Sequence, residues 1–278
     1  MFRISAFADE IDPDPQKQVD ALLASNVCHL ELRSILKTNV LDLSDLQVNE
    51  LKSLLDKSGI TLSAIGSPIG KIKIDEPFGP HLARFRRALE LCKLFGTPNI
   101  RVFSYYLTDG GDWLDWRRDV LDRIWECCKL ALQQGVRLLH ENEHRIYGDD
   151  PVRVVDLMET IRAQPDGECF WAVYDPANYI YCGSDPWKAW QMTRPWTVHL
   201  HIKDWVQGED RGRLAGTGQG RIAEVLDDAM KAEYDGFVTL EPHLLGGGPT
   251  GGQTGPELFP KAVTALRKIL DQIGASYI

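Results

Sequence analysis

The chain has 278 residues, 44% of them hydrophobic and 26% charged, with a net charge of -9. That balance describes a globular protein with ample core and argues against a disordered chain. An acidic protein lacks the basic footprint that grips a phosphate backbone, and no apolar run is long enough to cross a bilayer, so neither nucleic acid nor membrane is the expected partner.

The six cysteines, Cys28, Cys92, Cys127, Cys128, Cys169 and Cys182, form no CxxC pair. They read as free, buried thiols in a reducing compartment. The first residues lack the basic-then-apolar plan of a signal peptide, which predicts a cytoplasmic protein.

Eight short apolar or β-branched runs follow, each trailed by a helical pattern. The first is Phe2–Phe7, with helical periodicity from Pro15 to Ser25. The second, Cys28–Arg33, leads into Asn39–Ser58, with an N-cap at Ser44 and a stop at Gly59. The third, Ile60–Ile65, precedes a helix over His81–Phe95. The fourth, Asn99–Phe103, is followed by a loop rich in aromatics and Asp, then a helix over Trp113–Gln134. The fifth, Val136–Glu141, precedes Asp149–Ala163. The sixth, Phe170–Asp175, precedes a Trp-rich helix over Asp185–Thr193. The seventh spans Trp196 to Asp204, then a polar loop from Gln207 to Gly220 and a helix over Ile222–Lys231. The eighth, Gly236–Glu241, is followed by a Gly/Pro/Thr loop from Leu245 to Gly255 and a helix over Pro256–Ile273. Eight units of about 35 residues predict a closed parallel sheet, an α/β fold of the (β/α)8 TIM barrel type, as one domain over residues 1–278. No GxGxxG follows the first strand, which weighs against a dinucleotide site.

Alternation in the seventh run puts His199 and His201 on one face and Val198, Leu200 and Ile202 on the other. Its end, like the fifth, sixth and eighth, carries a metal-capable group: Glu141, Asp175, His201 and Glu241. Barrel strands deliver such side chains to the C-terminal, active face. Three carboxylates gathered without a counter-charge would repel, and a divalent cation relieves that. Three carboxylates and one imidazole suit Mn²⁺, Mg²⁺, Co²⁺ or Zn²⁺, with Mn²⁺ the expected ion.

The motifs in order are Glu31–Arg33, Ser67–Lys71, His140–Glu143, Tyr174–Asn178, His199–Asp204 and Leu240–His243. In this order the chain resembles the xylose-isomerase-like α/β barrel superfamily, in its sugar phosphate isomerase/epimerase branch. The resemblance implies that Glu141, Asp175, His201 and Glu241 hold one metal ion. It implies also that Glu141 and Glu241 act as the acid/base pair of a ketose or polyol-ketone isomerase or epimerase working through a cis-enediolate. The expected partner is thus a small sugar, with a homo-oligomer (dimer or tetramer) as a possible assembly.

Departures bear on the substrate. Asn178 stands where close sugar epimerases often have His, and the arginine expected after His201 is displaced, leaving Arg211 and Arg213 as candidates. His144, Arg145 and Lys203 are further candidates for substrate contact, Lys203 alternatively neutralising Asp204. His243 reads as support for the metal or as a loop residue. Glu31 and Arg33 read as a buried ion pair with each other. Trp113, Trp116, Trp187 and Trp190 read first as a helical core stripe. Alternative functions are a keto-sugar or inosose dehydratase or lyase on the same site, an apurinic-site endonuclease, and a degenerate barrel that only binds a ligand.

Overall fold

The computed structural model describes residues 1–108, 112–247 and 251–278. Parts of the predicted loops after the fourth and eighth strands, at 109–111 and 248–250, lie outside the described residues. Eight parallel strands close into a ring: β1 (Arg3–Ala6), β2 (His29–Leu32), β3 (Thr61–Ile65), β4 (Asn99–Val102), β5 (Arg137–Glu141), β6 (Phe170–Tyr174), β7 (Thr197–Ile202) and β8 (Phe237–Leu240). Each pairs with its sequence neighbours, and β1 closes on β8, with Ser5 beside Thr239 and Thr239 beside His201. This is the predicted TIM barrel.

Nine α-helices are seen among the described residues: α1 (Pro15–Ala24), α2 (Asp45–Ser58), α3 (Phe78–Phe95), α4 (Trp113–Leu132), α5 (Pro151–Arg162), α6 (Pro176–Tyr181), α7 (Pro186–Thr193), α8 (Ile222–Lys231) and α9 (Phe259–Gln272). The predicted N-cap at Ser44 is a full capping box with Gln47, and Gly59 ends α2 in the left-handed region, φ 68°. Two expectations need correction. Residues 39–44 are not α-helical, because a short hairpin, Ser34–Ile35 against Thr38–Asn39, and a 3-10 helix, Val40–Asp42, precede α2. The short helix α6 was not anticipated; Pro176 at its first position and the Asp175 side chain, which accepts from the Asn178 amide, start it immediately after β6.

Outward strand residues such as Ile4, Leu30, Ile100, Leu200 and Val238 pack with the helices in one apolar cluster. Leu51 and Leu55 of α2 bury against it at 3% and 1% exposure. Each such side chain contributes roughly 1.5–3 kcal/mol, and truncating Leu55 to Ala would cost roughly 2–5 kcal/mol. The inward face is polar instead. Ser5 Oγ meets Ser63 Oγ at 2.7 Å, and His199 Nε2 meets Thr239 Oγ1 at 2.8 Å. Buried polar atoms are tolerated when they bond one another, so this column of hydrogen bonds stands where most barrels carry bulky aliphatic residues.

No helix of the described residues is long and apolar enough to cross a membrane. All six cysteines are free, four of them buried; Cys28 is exposed and Cys182 half-buried, against the expectation that all would be buried. Of the four tryptophans, Trp190 is buried at 2% exposure, and the others only rest against the core.

Candidate functional site

Strand ends β5 to β8 bring Glu141, Asp175, His201 and Glu241 together at the C-terminal mouth. All are buried, and one ligand atom from each lies within 4.8 Å of all the others. His201 Nδ1 sits 3.3 Å from Glu141 Oε1, 3.5 Å from Glu241 Oε2 and 3.9 Å from Asp175 Oδ2. Two donors each about 2.1 Å from one ion are themselves about 3.0–4.2 Å apart, so this spacing fits a shared cation. His201 Nδ1 makes no hydrogen bond. It is an orphaned buried nitrogen aimed at three carboxylates, and the donor set of oxygens and one imidazole suits a hard or borderline divalent ion.

The other ring nitrogen likewise makes no hydrogen bond but faces a carboxylate. His201 Nε2 lies 3.3 Å from Glu31 Oε2, which also takes His199 Nε2 at 2.9 Å. Glu31 reaches these histidines across the barrel from β2. The expected Glu31–Arg33 pair therefore does not form. Arg33 turns to Asp9 Oδ2 at 2.8 Å and Glu241 Oε1 at 2.8 Å, because its strand end rises above the level of Glu31. Arg101 Nη1 lies 3.2 Å from Glu141 Oε2. Each catalytic candidate thus presents one carboxylate oxygen to the cluster and the other to an arginine.

Lys203 Nζ sits 2.7 Å from Asp175 Oδ2 and 3.3 Å from Glu241 Oε2. The expected pairing of Lys203 with Asp204 does not occur, since neighbours along an extended chain point opposite ways. The Asp204 carboxylate instead accepts backbone N–H bonds from Trp205 (3.0 Å), Gly216 (2.9 Å), Gly218 (2.8 Å) and Gly220 (2.8 Å). Asn178 is buried; its amide donates to Glu141 Oε1 at 3.2 Å and to the Asn142 carbonyl at 2.9 Å. His243 Nε2 lies between Glu241 Oε1 (3.3 Å) and Glu10 Oε1 (3.1 Å).

The remaining candidates sit apart from the four groups. Arg211 and Arg213 are exposed, and Arg213 Nε donates to Glu209 Oε2 at 2.6 Å. Arg145 is exposed, and the His144 ring packs edge-on against Tyr181, with centroids 4.8 Å apart. Arg101 and Glu10 join the site without standing among the sequence candidates. The motifs Ser67–Lys71 and His140–Glu143 meet in a rim pair, Lys71–Glu143 (2.9 Å), in which Lys71 also lies 4.2 Å over the Phe103 ring.

Electrostatics follow from the count. Six carboxylates (Asp9, Glu10, Glu31, Glu141, Asp175, Glu241) face three permanent cations (Arg33, Arg101, Lys203), a deficit of three positive charges. Burial opposes a charge on His201, but Glu141 and Glu31 outweigh it and raise its pKa to about 10. Burial likewise opposes ionisation of Glu141, yet His201 and Arg101 hold it down at about 2. Glu241 is held well below the usual carboxylate range by Lys203, His243 and Arg33, against the cost of burial. Asp175 goes the other way, pushed up to about 6 by burial and by Glu141 and Glu241, despite Lys203. A proton on His201 thus supplies part of the positive charge that the carboxylates need.

Residues 28–269 match the family model described as xylose isomerase-like TIM barrel. The chain belongs to that family. A relative, 2-epi-5-epi-valiolone 7-phosphate 2-epimerase of Actinoplanes sp. (strain ATCC 31044 / CBS 674.73 / SE50/110), is 26% identical over 186 residues, 65% of this chain. The match spans 64% of that relative's length, under two thirds of it. Among solved structures, a xylose isomerase-like TIM barrel protein from Mycobacterium smegmatis in complex with magnesium superposes with TM-score 0.74 at 17% identity, covering 94% of this chain and 89% of that one. A probable 3-DHS dehydratase from Bacillus anthracis does so with TM-score 0.75 at 16% identity, covering 96% and 99%. These two likenesses are of fold.

Proposed function

We propose that this family member is a divalent-metal-dependent isomerase or epimerase of a ketose or related polyol ketone. The observation that carries the reading is the convergence of Glu141, Asp175, His201 and Glu241 within 4.8 Å at the mouth of the barrel. These four would hold the ion, with Mn²⁺ proposed and Mg²⁺, Co²⁺ and Zn²⁺ compatible. When bound, such an ion polarises a hydroxy-ketone carbonyl and acidifies the neighbouring C–H.

The chain's own residues supply the rest. Glu141 and Glu241 stand on β5 and β8, separated by two strands, so they can flank a bound sugar. One removes the C–H proton to give a cis-enediolate, and the other returns a proton from the opposite side. Arg101 and Arg33 fix the outer oxygen of each glutamate. Asn178 holds Glu141 Oε1, while its own Oδ1 is buried without a hydrogen-bond partner and would accept from a substrate hydroxyl that reached it. Lys203 stands ready to steady an enolate oxygen between Asp175 and Glu241. The epimerase relative supports this class of chemistry and suggests testing phosphorylated substrates alongside free ketoses.

A second reading, loss of water from a keto-sugar or inosose, keeps the same residues, and the probable dehydratase shares this barrel. The test is incubation with Mn²⁺, ketohexoses and inososes in D₂O. Solvent deuterium at the carbon next to the carbonyl, with a new epimer or isomer, is expected. A dehydrated product instead selects the second reading. Undiminished exchange in both Glu141→Gln and Glu241→Gln would overturn the acid/base assignment.

A further inference from the structure

At the opposite end of the barrel from the four ligands lies a second recess. Arg3 opens β1 and Arg137 opens β5. Period-two alternation puts Arg3 on the same inward face as Ser5, and Arg137 on that of Glu141. The two strands stand opposite each other in the ring, so both side chains sit at its N-terminal mouth, Arg3 half-buried and Arg137 exposed. With Asn99, Trp190, Phe237 and the acidic residues Asp228 and Asp235 they line a pocket of about 660 Å³.

Neither arginine has a carboxylate partner among the described residues. Arg3 donates Nε at 3.0 Å and Nη2 at 2.5 Å to the Asp235 carbonyl, which leaves Nη1 with no acceptor among the described residues, and it lies 4.5 Å over the Phe237 ring. Arg137 donates only Nε, to Asn99 Oδ1 at 3.0 Å. The other cations at the rim are already paired: Arg194 Nη1 with Asp228 Oδ2 at 2.8 Å, and Lys231 Nζ with Asp227 Oδ2 at 2.6 Å. Desolvation and, after it, the nearby Arg3 charge push the Arg137 pKa below its ordinary value, against Tyr234 and Asp235. A protein of net charge -9 thus keeps two guanidiniums at one cavity, with Arg3 Nη1 and both Nη groups of Arg137 still able to donate.

We propose that this recess binds a small oxyanion-bearing ligand, a phosphate ester or polycarboxylate gripped between Arg3 and Arg137. Guanidinium forks match phosphate and carboxylate oxygens in pairs, and the ring faces of Phe237 and Trp190 give the remainder of the molecule an apolar wall. The volume falls in the range of small-molecule sites, roughly 300–1,000 Å³. Chemistry in this fold belongs to the other mouth, so this recess is a binding site separate from the catalytic one. A ligand spanning β1 and β5 ties opposite sides of the ring and stabilises the folded state by mass action.

The test uses metal-stripped protein in EDTA, so that anions cannot act through a metal at the other mouth. Pyrophosphate and citrate are titrated calorimetrically and by thermal melting, against potassium chloride of equal ionic strength. Saturable one-to-one binding and a rise in Tm beyond the chloride control are expected for at least one anion. Binding by pyrophosphate alone marks a phosphate ligand, and binding by citrate alone a carboxylate. Arg137→Gln should weaken binding at least tenfold, and Arg137→Lys, which keeps the charge but loses the fork, by less. Arg3→Gln could unfold the chain by losing the Asp235 contact, so Arg137 carries the decision. The proposal is overturned if neither anion exceeds the chloride control, or if Arg137→Gln binds as tightly as the parent.

Discussion

Glu31→Gln offers the sharpest test of how the candidate metal centre is built. The Glu31 carboxylate is 1% exposed and has one oxygen, Oε2, within 2.9 Å of His199 Nε2 and 3.3 Å of His201 Nε2. If His201 coordinates through Nδ1, its Nε2 must carry a proton, and Glu31 is the acceptor that fixes this tautomer and turns the ring toward the carboxylates. Glutamine keeps the shape but loses the charge. Removing the carboxylate behind a ligand histidine typically weakens metal affinity 10–100-fold, or about 1.4–2.8 kcal/mol. Calorimetric titration of metal-stripped protein with Mn²⁺ reads this directly. A thermal melt without metal is needed beside it, because the same carboxylate stabilises the charged His201, and breaking a buried pair costs roughly 3–5 kcal/mol. A folded Glu31→Gln variant whose Mn²⁺ affinity stays within twofold of the parent would refute coordination through Nδ1.

Three other outcomes follow from the geometry. His81 accepts the Gly70 N–H at 2.8 Å, and burial, with Arg84 and Arg123, lowers its pKa from 6.5 to about 4. The unfolded chain therefore binds a proton that the fold refuses: stability is full above pH 6.5 and falls by about 2–3 kcal/mol as pH drops toward 4. Denaturant melts of His81→Gln should lack that part of the slope. Gly70 has φ +91°, and a Cβ there would meet the Phe103 carbonyl oxygen at 2.1 Å, so Gly70→Ala should lower stability by on the order of 3 kcal/mol or more in the same melts. Abasic-site DNA incubated with the metal-loaded protein should remain uncut on a denaturing gel, since an acidic chain offers little to hold a phosphate backbone. Robust nicking would promote the endonuclease reading.

The four convergent groups were legible because a barrel hands polar strand ends to one mouth, and the order of residues along the chain reveals which ends those are. Arg101 carried the same signal as His199, an inward polar residue alternating with Ile100 and Val102, and was readable by the rule applied to β7. Glu31 and Arg33 were placed on the correct face, but alternation says nothing about what stands across the ring. Their partners, His201 on β7 and Glu241 at the end of β8, depend on strand order and stagger. Arg211 and Arg213 looked suitable from their place after His201. They end in solvent because the backbone between Gln207 and Gly220 is routed by contacts to Asp204 that composition does not encode.

That single carboxylate has a consequence for how the barrel could change over time. Four amides spread over residues 205–220 all terminate on it, so much of the base of this crossing is gathered on one side chain, beside a few backbone pairings such as Arg213 with Asp204. Exposed side chains here, such as Arg211 and Arg213, are free to vary, while the glycines packed beneath them are not: a Cβ on Gly218 would come within 2.4 Å of Asp204 Oδ1, and one on Gly212 within 2.0 Å of the Pro242 carbonyl oxygen. New specificities can therefore be grafted onto the rim here without disturbing Lys203 or His201 just beneath it.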